Sequence, residues 1–228
     1  MFFPCWKPFW DGNYGDDKRD AKGKNKGLMW YKDLGEHVYG EFSMAVLQAN
    51  EVIEDQCQVE SGPFSALTHG TFIGIYDGHG GPQAANFVNN NLFHNFKSFV
   101  HEHGEVSKEA IKKAYLTTDN EFLKIVRKQW EQKPLTASQG TCCLVGIISN
   151  GQLFVANAGD SRVVMGRLDT SSSSSSSPSS KGVRAMQLST DHNATIESER
   201  EELRSLHPND PDIVVQKHKA WRVKGIIQ

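Results

Sequence analysis

Gly70-Thr71-Phe72-Ile73-Gly74-Ile75-Tyr76-Asp77-Gly78-His79-Gly80-Gly81-Pro82 is the stretch that decides how this chain of 228 residues folds. Its first half is short, apolar and rich in aromatic and β-branched side chains, which predicts a strand. The strand stops at Asp77, and three glycines in the next four positions predict a tight turn in which backbone oxygens approach a ligand closely. Pro82 suits the first turn of a helix, where its missing N–H is one that a helix start leaves unpaired. Behind it, Val88, Leu92, Phe96 and Phe99 recur at spacings of four and three and make one apolar face.

Upstream, Phe42, Met44 and Val46 alternate and predict a half-buried strand over 40–48. Folded material is expected from near Gly27, with the domain proper set at 40–228. Residues 1–39 are read as a mobile aromatic and basic segment, because MFFPCWKPFW and the Lys18–Lys26 run offer no amphipathic period. The same pairing of aromatics with a basic patch fits peripheral contact with a membrane surface. The segment lacks the continuous apolar stretch of a secretory signal. Downstream, Ser107 is a plausible helix cap for Ile111, Tyr115, Thr118, Phe122 and Ile125, and Pro134 closes that helix. His101-Glu102-His103 reads as a solvated loop between the two helices.

Residues 141–149 form a β-branched apolar run, Asn150-Gly151 is a two-residue hairpin signal, and 153–156 is the return strand. A turn at Gly159-Asp160-Ser161 leads to a strand over 162–165, and strand character resumes over 183–188. A Ser-rich loop at 170–181, with seven consecutive serines, separates these two strands and carries no fold content. Residues 194–206 read as a charged helix and 220–227 as a last strand. The order of elements implies an α+β fold with antiparallel sheets and helices packed outside.

Composition bounds the function. Hydrophobic residues are 38% of the chain, enough for a core, and the net charge of -2 gives no global field pointing to nucleic acid. Four cysteines, two of them adjacent, do not make a disulfide framework and fit a reducing compartment.

Glu54-Asp55 and Asp77 both sit next to apolar strands, so several carboxylates are expected at one sheet rim. Such a cluster repels itself unless a cation neutralises it, and oxygen-only ligands favour Mg²⁺ or Mn²⁺. No CxxC or HExxH pattern offers a zinc site, and the GxxxxGK[ST] phosphate loop is absent. His79, two residues from Asp77, adds a titratable acid beside the metal ligand.

Four motifs, Glu54-Asp55-Gln56, Tyr76-Asp77-Gly78-His79-Gly80-Gly81, Gly140-Thr141-Cys142-Cys143 and Asn157-Ala158-Gly159-Asp160-Ser161-Arg162, occur in an order that resembles the metal-dependent protein phosphatases of the type 2C family. The resemblance runs from Phe42 to Gln228. Wording such as Gln48-Ala49-Asn50, Gln58-Val59-Glu60-Ser61-Gly62 and Trp221-Arg222-Val223-Lys224-Gly225 looks like the plant subgroup associated with plasma-membrane proton pumps. The resemblance implies two packed antiparallel β-sheets flanked by helices, and hydrolysis of phosphoserine and phosphothreonine at a site for two Mn²⁺ or Mg²⁺ ions. It places Asp77 as the bridging metal ligand, Glu54 and the Gly78 carbonyl on one ion, and Asp55 behind a coordinated water. His79 becomes the acid for the leaving oxygen, and Asp160 falls at a third, weaker metal site. Water activated by the metals is the nucleophile, so Cys142 and Cys143 are read as strand residues only.

Two departures matter. Asn50 stands where many members carry an arginine that clamps phosphate. The sequence also ends before a Ser-Ile-Gly-Asp-type segment and two further aspartates of the family. The second ion would then keep Asp77 alone, so these 228 residues are expected to be weakly active or inactive. The alternative is a catalytically incomplete isoform that binds phosphatase partners or substrates. Expected partners are phosphoproteins, among them a plasma-membrane proton pump, and small auxin-induced regulatory proteins, with the chain a monomer. The expected location is intracellular: cytoplasm, nucleus or the periphery of the plasma membrane.

Overall fold

A computed structural model describes residues 29–47, 52–168 and 182–227. The expectations for the first 28 residues, for Asn50 and for the whole Ser-rich loop at 170–181 lie outside the described residues. The chain divides into two compact units. One comprises the described residues up to Thr141 together with Val145–Phe154, and the other Cys142–Leu144 and the described residues from Val155 on.

The first unit opens with a hairpin of β1 (Met29–His37) and β2 (Gly40–Leu47), antiparallel with Met29 opposite Leu47 and His37 opposite Gly40. In β2, Phe42, Met44 and Val46 are half-buried while the residues between them are exposed, the alternation that the sequence predicts. Residues 29–37, part of the expected N-terminal segment, form a strand. Backbone pairing to β2 draws 29–37 into a strand that no apolar period announces. The hairpin turn is tied down by side chains: the Val38 amide donates to Ser61 Oγ at 2.9 Å, and His37 Nδ1 lies 3.0 Å from Thr71 Oγ1.

The central sheet has the order β3-β4-β7-β8, from β3 (Gln56–Pro63), β4 (His69–Tyr76), β7 (Cys143–Ser149) and β8 (Gln152–Ala158). β4 and β7 are interior, and both carry the near-continuous burial expected of that place. β3 is an edge strand with Gln, Glu, Ser, Gly and Pro in it, which explains why an apolar pattern misses it. The β7–β8 loop is the expected Asn150-Gly151 pair, with φ of 50° and 72°. Both values are left-handed, as a two-residue hairpin turn of the primed type needs.

Two helices accompany this sheet, α1 (Gln83–His103) and α2 (Lys108–Gln129). Leu92, Phe96 and Val100 of α1 are buried, so Val100 takes the place expected for Phe99. Phe64, Phe72, Phe93 and Phe96 form an aromatic cluster with ring centroids 5.1 to 6.4 Å apart, and Phe72 and Phe96 are each 1% exposed. α2 starts as expected: Ser107 Oγ accepts from the Ala110 amide at 3.2 Å. It meets α1 through Phe87–Phe122 ring contact and through Asn95 Nδ2, which donates to Thr118 Oγ1 and Glu121 Oε2. Val126 is buried there and Ile125 is exposed, a one-residue rotation from the expected face. His101-Glu102-His103 is the last turn of α1 rather than a loop, because the helix runs on to a left-handed Gly104.

A 3₁₀ turn (Pro134–Ser138) precedes β6 (Gly140–Thr141), which pairs with β5 (Gly78–His79). The second unit holds two ribbons, β9 (Val164–Leu168) with β10 (Val183–Gln187) and β11 (Val214–Lys217) with β12 (Ala220–Val223), and α3 (Glu197–Leu206). The expected last strand stops at Val223, since Lys224 and Gly225 take positive φ. β11 was not foreseen from its four residues, and α3 starts three residues later than its charge pattern predicts. The architecture is α+β, with antiparallel pairing in one four-stranded and four two-stranded sheets among the described residues.

Candidate metal-binding active site

The antiparallel register of β3 and β4 ends with Gln56 opposite Tyr76. The next residue outward on one strand is Asp55 and on the other Asp77, so the pairing delivers the acidic residues to the same rim. Leu47, Val52, Ile53, Glu54, Asp55, Asp77 and Gly78 line one open cleft of about 170 Å³ there. Four of the predicted site residues, Glu54, Asp55, Asp77 and Gly78, are therefore brought together.

Gly78 is what lets them close up. It is buried, and a Cβ on it would strike the Glu54 carbonyl oxygen, so only glycine permits the two backbones to pack at this distance. Pairing of Gly78 with Thr141 in the β5–β6 ribbon fixes the other side of the turn.

His79 takes a different place. Its ring lies over Gly140, where a Cβ would collide with the imidazole, and its Nε2 is buried with no hydrogen-bond partner among the described residues. The ring is not part of the cleft wall. The turn that carries it is held from below by Gln139, whose Oε1 accepts from the Gln83 amide at 3.2 Å. This supplies the cap that Pro82, without a hydrogen-bonding side chain, leaves out at the start of α1.

Asp160 belongs to the second unit. Its Oδ2 accepts from Asn193 Nδ2 at 2.7 Å and its Oδ1 from Cys142 Sγ at 3.4 Å. Asn193 Oδ1 in turn accepts from the amide and the hydroxyl of Thr195, both at 2.9 Å, which fixes the amide's orientation. Around it, Asn157 Nδ2 bridges the carbonyls of Gly159 and Thr190, and the His192 amide donates to the Gly159 carbonyl. Arg162 forks onto Asp191 with two nitrogens. That guanidinium holds the Asp191 carboxyl below the ordinary carboxylate range. Asn157, Gly159, Asp160 and Arg162 of the 157–162 turn thus each meet a counterpart in 190–193. Sequence reading missed three of these supports. Cys142 lies between β6 and β7 with its thiol on Asp160, instead of serving as a plain strand residue, and nothing in the sequence marks Gln139 or Asn193 as the support of a turn.

All donors of the cleft are oxygens, two to three carboxylates and the Gly78 carbonyl, which suits a hard divalent cation and no soft one. Among the described residues no three His, Cys, Asp or Glu side chains gather closely enough to hold a metal ion by themselves. Glu54, Asp77 and the Gly78 carbonyl would hold one ion only with further ligands from solvent.

Residues 43–228 match the family described as Protein phosphatase 2C. The Arabidopsis thaliana "Probable protein phosphatase 2C 38" is 56% identical over 232 residues, covering 100% of this chain and 58% of that protein. The rice "Probable protein phosphatase 2C 28" is 50% identical, with 100% and 56% covered. The chain thus spans less than three-fifths of the length of these relatives. A solved structure, a C. elegans sex-determining protein, superposes with a TM-score of 0.56 at 13% identity over 90% of this chain and 43% of that one, a likeness of fold. Matched over most of its length, with its acidic rim and glycine-rich turn in the matched region, the chain belongs to the protein phosphatase 2C family.

Proposed function

We propose that this chain carries the acidic half of a protein serine/threonine phosphatase site, working on phosphoserine and phosphothreonine. The observation that carries the reading is the convergence of Glu54, Asp55, Asp77 and Gly78 on one cleft. Metal dependence on Mn²⁺ or Mg²⁺ is general to the family, and two such ions, when bound, supply a more acidic water and neutralise the phosphate. Glu54, Asp77 and the Gly78 carbonyl are the groups that would hold an ion here. Asp55, more exposed than Glu54, is left to accept a proton or a hydrogen bond from water in the cleft. His79 would donate its proton to the leaving oxygen after its ring swings off Gly140, since Nε2 is enclosed there. Asn50 offers no charge for the phosphate, so anion binding would rest on the cations.

A second reading, a binding module without turnover, is favoured by one observation: the described residues hold no three-side-chain metal cluster. Calorimetric titration with Mn²⁺ alongside phosphopeptide hydrolysis separates the two. Under the first reading the chain binds Mn²⁺ and releases phosphate, and Asp77→Asn abolishes both. Phosphopeptide binding with no phosphate release at saturating Mn²⁺ would favour the binding module.

A further inference from the structure

We propose that Leu47, Val52 and Ile53 form an apolar shelf beside the acidic cleft that seats a hydrophobic side chain flanking the phosphorylated residue of a protein substrate; this rests on the phosphatase reading above. Along β2 the outward side chains are Glu41, Ser43 and Ala45, polar or small, until Leu47. Leu47 is 61% exposed and Val52 56% exposed, and both line the cleft that holds Glu54, Asp55 and Asp77. Single exposed apolar residues are ordinary on a surface. Three on the wall of one carboxylate-lined cleft are a different matter, because they add nothing to cation binding and two of them bury little.

The chemistry of the occupant follows from the cleft. Its acidic end, once neutralised by cations, draws the phosphate, and an extended peptide advances about 3.3 Å per residue. The side chains next to the phosphorylated residue therefore fall within reach of the walls of the same cleft. A charged neighbour would lose hydration against Leu47 and Val52, whereas a leucine or isoleucine would cover them.

Fluorescence anisotropy with two phosphothreonine peptides, identical except for leucine or serine on both sides of the phosphorylated residue, tests the shelf in excess Mn²⁺. The leucine peptide is expected to bind wild-type chain about tenfold more tightly. In Leu47→Ser/Val52→Ser that ratio is expected to fall below about twofold, with Mn²⁺ affinity by calorimetry unchanged. Leu47→Gln and Val52→Thr, tested singly, serve if the double variant loses its far-ultraviolet circular dichroism. Equal binding of both peptides by wild type overturns the shelf and leaves the phosphatase reading standing. Failure of both peptides to bind overturns that reading, and the shelf with it. A double variant that changes association state by light scattering, with peptide preference intact, also overturns the shelf and makes this face a contact between copies.

Discussion

Gly78, at the cleft, and Glu60, farther along β3, show two ways in which surroundings constrain one residue. At Gly78 the constraint is space. Gly78→Ala would press a methyl against the Glu54 carbonyl, and overpacking of this kind costs about 1–3 kcal/mol. We expect a lower denaturant midpoint at unchanged m-value, together with weaker Mn²⁺ binding, because the collision moves Glu54 itself. At Glu60 the constraint is burial, which raises its carboxyl above the ordinary value of about 4.3, against the pull of the Gln58 hydrogen bond and the Lys97 charge. The folded chain then holds this proton more tightly than the unfolded one. Its contribution to stability is therefore lost as pH rises through and above that ordinary value. Thermal unfolding should show Glu60→Gln more stable than wild type at pH 7, with the advantage gone below about pH 4. Asp77, Gly78 and Glu54 were readable from the sequence as a group, because acids beside strands and glycines in a turn announce their chemistry. The role of Gly140 was not readable, since the ring it makes room for lies sixty-one positions away.

Among the elements, the legible ones are those whose signal is local. β2, β4, α1 and the Asn150-Gly151 turn follow from alternation, helical period and left-handed φ. β1, β3 and β11 were missed or placed outside the domain, because each is held by backbone pairing to a partner and not by its own apolar pattern. The faces of α1 and α2 hold at Leu92, Phe96, Ile111 and Thr118 and shift by one residue only at their last positions, to Val100 and Val126, since the neighbour each packs on chooses among adjacent apolar positions. The start of α1 is the least local of these features. Its cap is the side chain of Gln139, fifty-six residues away, so Gln139→Ala should cost about 1 kcal/mol, the usual worth of a helix cap. Hydrogen exchange should show the loss as faster exchange of the Gln83 amide. Ser107→Ala gives the matched local control at the start of α2.

At the scale of the whole molecule, the described residues supply the cleft but no cluster of three metal-binding side chains. Mn²⁺ should therefore raise the unfolding midpoint only at high concentration, following the mass-action law RT ln(1 + [L]/Kd). The sequence by itself determined the family and the α+β class and singled out Glu54, Asp55 and Asp77 as acids beside strands, because these depend on residue type and short-range order. Only the tertiary structure decided that the β3–β4 register brings Asp55 and Asp77 to one rim, that His79 turns onto Gly140, and that Asn193 and Cys142 hold Asp160. Those are contacts between residues far apart in the chain, and strand pairing and packing select them where no local pattern can.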